Sequence, residues 1–222
     1  MTYKDEGYKI KEILNSKIRK NWEGRECILE LKDADYNWRQ MEWIGWYLEY
    51  IGRKVLIDNL GGCIGPTYGR TTLDYKKEYV WDFKAHPLNS SGHPWAIMND
   101  CEAVNKCIED NNGIGFIIAL GNAVYNDEDG TFREWHVGLS GGKSAYVKHR
   151  IARGAPSRKR KVAFDLTDFL IIFIDSKETL DNAISVGWLS GDAQTGWRNS
   201  NGNPRRSKYE INFDLIPNEL KI

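Results

Sequence analysis

Two stretches carry almost no polar side chain: Gly115-Phe116-Ile117-Ile118-Ala119-Leu120 and Phe169-Leu170-Ile171-Ile172-Phe173-Ile174. Short apolar runs rich in β-branched and aromatic residues read as strands. Side chains alternate across a strand, so a run that is apolar at every position needs a layer on each face. The chain is therefore expected to build a central sheet flanked by helices, in the α/β (α+β) class.

Helical periodicity supplies the covering layers. Tyr8 to Asn21 places Ile10, Ile13, Leu14 and Ile18 at spacings of three and four. Tyr36 to Gly52 repeats the pattern with Trp38, Met41, Ile44, Leu48 and Ile51, and Asp33 or Asp35 is positioned to cap it. Glu42 and Glu49 share one flank of that helix beside Gly45, where a close backbone approach is expected to explain the glycine. Cys27 to Leu31 reads as a connection and Lys54 to Ile57 as a short strand. Ile97 to Asp110 is expected to be helical, with Asn99 or Asp100 near its start and Asn111-Asn112-Gly113 at its end. Further on, Trp135 to Leu139, Ala145 to Ile151, Val162 to Phe164 and Tyr209 to Phe213 read as strands, and Ser176 to Ala183 as a helix. No internal repeat or low-complexity linker interrupts residues 1–222, so one domain is expected.

Composition removes several classes of function. Lys plus Arg and Asp plus Glu both total 31, which excludes a globally basic nucleic-acid coat but leaves local patches open. No apolar run approaches a membrane span, and the N-terminal residues lack a signal peptide's apolar stretch, so a cytoplasmic protein is expected. Cys27, Cys63, Cys101 and Cys107 have no zinc-like spacing and read as reduced thiols. The glycine-rich Leu60 to Pro66 segment lacks the G-x-x-x-x-G-K-S/T spacing, so no nucleotide cofactor is expected.

The chemistry concentrates between Arg70 and His86. Arg70 to Tyr75 and Glu78 to Ala85 read as two strands around the polar Lys76-Lys77 reversal. Strand alternation sends Asp82, Lys84 and His86 to one face, and pairing brings Asp74 close to it. Carboxylates brought together out of water repel each other and lose hydration. A divalent cation relieves both costs. Mg²⁺ suits such a site because one or two carboxylates, substrate phosphate and water complete its shell.

Asp74 on one strand, Asp82-x-Lys84 on the next, and helices before and after them resemble the PD-(D/E)XK nuclease superfamily, and within it the bacterial type II restriction endonucleases. The resemblance covers residues 36–121 as the catalytic core and implies a restriction-endonuclease-like sheet in the order αβββαβ, extended by C-terminal strands. It implies that Asp74 and Asp82 bind Mg²⁺, that the Phe83 carbonyl adds a ligand, and that Lys84 positions the attacking water. Glu49, or alternatively Glu42, would support the metal site. Leu73 stands where the family name has proline, which leaves Asp58 as another candidate for the first acid.

Residues 122–222 are expected mainly to bind DNA and extend the sheet. Lys148, Arg150, Arg153, Arg158, Lys159, Arg160 and Lys161 form the clearest basic run and suit phosphate contacts. Arg198, Asn199, Asn201, Arg205 and Arg206 combine side chains whose geometry matches guanine and adenine edges. The expectation is a Mg²⁺-dependent endodeoxyribonuclease of a prokaryotic cytoplasm, acting as a homodimer on palindromic double-stranded DNA. A structure-specific nuclease, such as a junction resolvase or mismatch-nicking enzyme, is the alternative within the class. A DNA-binding module in which Asp82 and Lys84 form only a salt bridge is the alternative outside it.

Overall fold

The computed structural model describes the chain except for residues 126–128, 153, 155–159, 200 and 201 and the side chains of residues 145, 146 and 150. The first part runs α1 (Tyr3–Lys17), β1 (Asn21–Glu23), α2 (Gly24–Asp33) and α3 (Trp43–Leu60). Then come β2 (Thr67–Tyr68), β3 (Thr71–Thr72), β4 (Tyr75–Lys76), β5 (Val80–Pro87), β6 (Trp95–Asp100), α4 (Cys101–Asn111) and β7 (Ile114–Tyr125). The remainder is α5 (Thr131–Leu139), α6 (Ala145–Ala152), β8 (Lys161–Ile174), α7 (Lys177–Ser185), β9 (Leu189–Ala193) and β10 (Lys208–Asn212).

The mixed central sheet has the order β1-β8-β7-β5-β4, with β5 parallel to β7 and the other neighbours antiparallel. Both apolar runs lie at its centre, Ile117 opposite Ile171. Alternation divides them between two cores, as the sequence leads one to expect. Trp81, Phe83, Ile117, Ile171 and Phe173 pack with residues of α1, α2 and α3. Val80, Phe116, Ile118 and Ile172 pack on the other side with α4, α7 and a small sheet of order β6-β10-β9.

Two contacts fix β5 against the first layer. Gly52 of α3 lies under the Phe83 ring, where an added Cβ would stand 2.8 Å from ring carbons. Glu6 of α1 is fully buried and accepts from the Trp81 indole at 2.8 Å and the Glu78 amide at 3.2 Å.

Several local expectations change. Lys54 to Ile57 continues α3, because Leu48, Gly52 and Leu56 form one buried stripe at four-residue spacing that outweighs the Val-Leu-Ile strand preference. Cys27 to Leu31 lies within α2, with Cys27, Ile28 and Leu31 buried on one side. Asp35 follows α2 in a left-handed turn, and α3 begins after Glu42 without a side-chain cap, so neither Asp33 nor Asp35 caps it. Nothing lies within 4 Å of a Cβ built on Gly45; the close approach is at Gly52. The expected Ile97 to Asp110 helix divides at Asp100, whose side chain accepts from the Glu102 and Ala103 amides and starts α4, leaving residues 95–100 as β6. Trp135 to Leu139 belongs to helix α5, where Phe132 and His136, four apart, are buried; Ala145 to Ile151 belongs to helix α6. Val162 to Phe164 and Phe169 to Ile174 are one strand, β8. The Arg70 to Tyr75 strand is interrupted: β3 pairs with β2, and only Tyr75 and Lys76 join β5.

Candidate active site

The interruption of that strand creates the site. β4 pairs with β5 only through Val80 and Trp81, so among the described residues the outer edge of β5 beyond Trp81 lacks a strand partner. Asp74, just before β4, takes the place of one: its carboxylate accepts the Phe83 amide at 2.7 Å. Lys84 reaches back along the same edge, forming an ion pair with Asp82 and donating to the Phe83 carbonyl at 3.1 Å. Asp82 and Lys84 thus face away from the Phe83 ring, which is buried against α3.

This edge is the floor of a cleft of about 730 Å³. Glu42, just before α3, and Gly45, Trp46 and Glu49 of α3 line one wall. Arg70 to Thr72, Ile97 to Asn99 and Lys208 complete the lining. Glu49 accepts from the Tyr36 hydroxyl and lies 3.5 Å from Arg53, one helical turn on. The two glutamates therefore separate: Glu49 is held beside the acidic cluster, whereas Glu42 pairs with Lys161 at 2.7 Å.

Charge is crowded here. Burial, reinforced by the Asp82 charge, holds the Asp74 carboxyl well above the usual carboxylate range. Burial also pushes Glu49 up against the opposing pull of Tyr36 and Arg53, with Asp82 adding to the rise. Burial alone would lower Lys84, yet the Asp82 and Asp74 charges outweigh it, so the ammonium is held more firmly protonated than usual. Lys208 moves the opposite way, pushed down by burial and by Lys84.

Among the described residues, no group of three or more His, Cys, Asp or Glu side chains is placed to hold a metal ion. The floor offers instead two carboxylates and a peptide carbonyl around one ammonium.

His86 does not open into the cleft. It is buried, its ring 3.2 Å from His93 nitrogen and 4.7 Å from the Phe213 ring centre, and burial followed by His93 lowers its pKa to about 4. Asp58 lies in α3 and does not line the cleft.

The expected DNA contacts are dispersed. Arg153, Arg158, Lys159 and Asn201 lie outside the described residues, as does the Arg150 side chain. Lys148 is exposed on α6, Arg160 is 5 % exposed, and Lys161 is engaged by Glu42; none of the three lines the cleft. The second group is closer. Asn199, Arg205 and Arg206 line a groove of about 410 Å³ that shares Arg70, Thr71 and Lys208 with the cleft. Arg198 is turned inward on its own loop, donating to the Gly202 carbonyl at 2.8 Å.

Arg70, Asn99 and Lys208 also line the cleft, residues to which the sequence assigns no catalytic or metal role. Lys208 is 126 residues from Asp82 and lines the same cleft only because β10 pairs with β6. No local signal marks it, although alternation along β10 does set it apart from Tyr209.

No family model matches the chain, and no curated protein or solved structure matches it significantly.

Proposed function

We propose that the chain is a Mg²⁺-dependent endodeoxyribonuclease with a restriction-endonuclease-like core. The observation that carries this reading is the convergence of Asp74, Asp82, Lys84 and Glu49 at one unpaired strand edge from separate parts of the chain. Crowded carboxylates with raised proton affinity, beside a charged lysine in an open cleft, match a site that works when a cation is bound.

Asp74, Asp82 and the Phe83 carbonyl are the oxygens that would hold Mg²⁺. When bound, the ion supplies Lewis-acid polarisation of the scissile phosphate and charge neutralisation. Lys84, released from its pairing with Asp82, is placed to orient the attacking water and steady charge on the phosphoryl oxygens. Glu49 is kept in place by Tyr36 and Arg53 and presents a second acceptor to water on the α3 side. Asp74 also ties the floor to the backbone, because its bond to the Phe83 amide fixes the strand that bears both partners.

Within this class the reading is a type II restriction enzyme, a prokaryotic cytoplasmic homodimer cutting palindromic duplex DNA. A two-fold pair of clefts suits two strands of a symmetric site. The basic groove continuous with the cleft favours an extended phosphodiester over a small substrate.

The test is digestion of plasmid DNA with Mg²⁺, followed by end mapping. Wild type is expected to cut, and Asp82→Asn and Lys84→Met to lose at least about 100-fold in rate, as loss of an electrostatic transition-state contact does. Discrete fragments indicate site-specific cutting, and cleavage confined to four-way junctions indicates a resolvase. Cutting that persists at the wild-type rate in either variant overturns the assignment.

A further inference from the structure

Lys208 is half-buried at the junction of the cleft and the arginine groove, and lines both. Its neighbours on the strand, by register, are Asp100 and Ala193. Among the described residues, no carboxylate lies within 4.0 Å of its ammonium and no side-chain hydrogen bond engages it. Partial desolvation and the Lys84 cation on the cleft floor make this ammonium costly, and the more distant Asp100 and Asp82 charges offset that only in part.

The same wall holds two more orphan donors. Asn99 of β6 is nine-tenths buried, and among the described residues its amide nitrogen has no acceptor. The buried Nε of Arg205 has none either, while its guanidinium lies 5.6 Å from the Trp197 ring centre. Arg70, on the turn between β2 and β3, lines both the cleft and the groove; beside it Arg206 lies near Gly69 and is already paired with Asp100 at 3.5 Å and Glu102 at 3.9 Å, so it adds positive charge but no free donor. Donors without acceptors, spaced along a groove that starts at the acidic floor, call for an anion with repeated acceptor oxygens.

We propose that Lys208 seats a backbone phosphate of the DNA strand beside the scissile one, and that the strand leaves the cleft along Asn99, Arg205, Arg206 and Arg70. This rests on the nuclease reading. The carboxylate floor repels phosphate when no cation is bound, whereas Lys208 attracts it throughout, so its contribution persists without metal.

The experiment is titration of a fluorescent DNA duplex by anisotropy in EDTA, from about 50 to 200 mM salt. One lost phosphate contact reduces the slope of log K against log salt by about 0.9. Lys208→Gln is expected to show that change with about 5- to 10-fold weaker binding near 0.1 M salt, and Lys208→Arg to keep the wild-type slope. The Tm of Lys208→Gln should equal or exceed that of wild type, because an unpaired ammonium has been removed. An unchanged slope in Lys208→Gln, with wild-type cleavage intact, overturns the Lys208 assignment alone. A lowered Tm in both variants, with Arg as impaired as Gln, makes Lys208 structural and also overturns it. Wild type that neither binds nor cuts DNA overturns the nuclease reading and this one together.

Discussion

Gly52→Ala sets two effects of known size against each other. Alanine inside a helix is favoured over glycine by about 1 kcal/mol. At Gly52 the new methyl would stand 2.8 Å from the Phe83 ring, about 0.6 Å inside ordinary contact. The ring is 5 % exposed and backed by the core, so it cannot swing into solvent. Overpacking of this kind costs about 1–3 kcal/mol. The clash should therefore win, leaving a net loss of about 1 kcal/mol and a Tm about 2–4 °C lower for a chain of this size. Gly45→Ala, on the same helix with nothing within 4 Å, carries the gain without the clash. The two variants should differ by roughly 4–8 °C in thermal melts followed by circular dichroism. Phe83 also lies between Asp82 and Lys84, so relief of the clash moves both. A misplacement of about 1 Å can cost 10²-fold in rate, so a shift near half that size should slow the proposed cleavage about tenfold. A Gly52→Ala protein as stable as Gly45→Ala would refute the packing argument, and full cleavage activity would refute the link between α3 and the floor.

Two further perturbations test the charges. The Asp74 carboxyl has its proton affinity raised in the folded state, so the stability it contributes is fully present below the ordinary carboxylate pKa and lost as pH rises through the raised value. In EDTA, wild type should lose stability from about pH 4 upward, and Asp74→Asn, which keeps an acceptor for the Phe83 amide, should flatten that decline; a parallel pH dependence of Tm in both proteins counts against it. Glu6→Ala strands the buried Trp81 indole and the partly buried Glu78 and Tyr79 amides and should cost about 2–5 kcal/mol in urea denaturation, with a change under 1 kcal/mol ruling out Glu6 as the anchor of β5.

What could be read from sequence follows the range of the forces involved. The two apolar runs and the Asp82-x-Lys84 alternation are encoded by period two within single strands, and β5, β7 and β8 keep those faces. Ser176 and Asp100 announce helix starts through their own side chains, and both cap. Helices α2, α5 and α6 are hard to see in the sequence because their apolar residues are few and their stripes short, so local preference for β-branched and aromatic residues favours strands there. The position of Asp74 follows from a break between β3 and β4, which no propensity marks. Lys208 and Asn99 enter the cleft only through pairing of strands more than a hundred residues apart.

The pleat of β5 places Phe83 in one layer and Asp82 with Lys84 at the opposite face. A slip of a single residue against β7 would exchange them, driving two charges into the α3 layer and an aromatic ring into the cleft. The register that buries Phe83 is therefore the same register that exposes Asp82 and Lys84, so the core and the cleft are specified by one pairing.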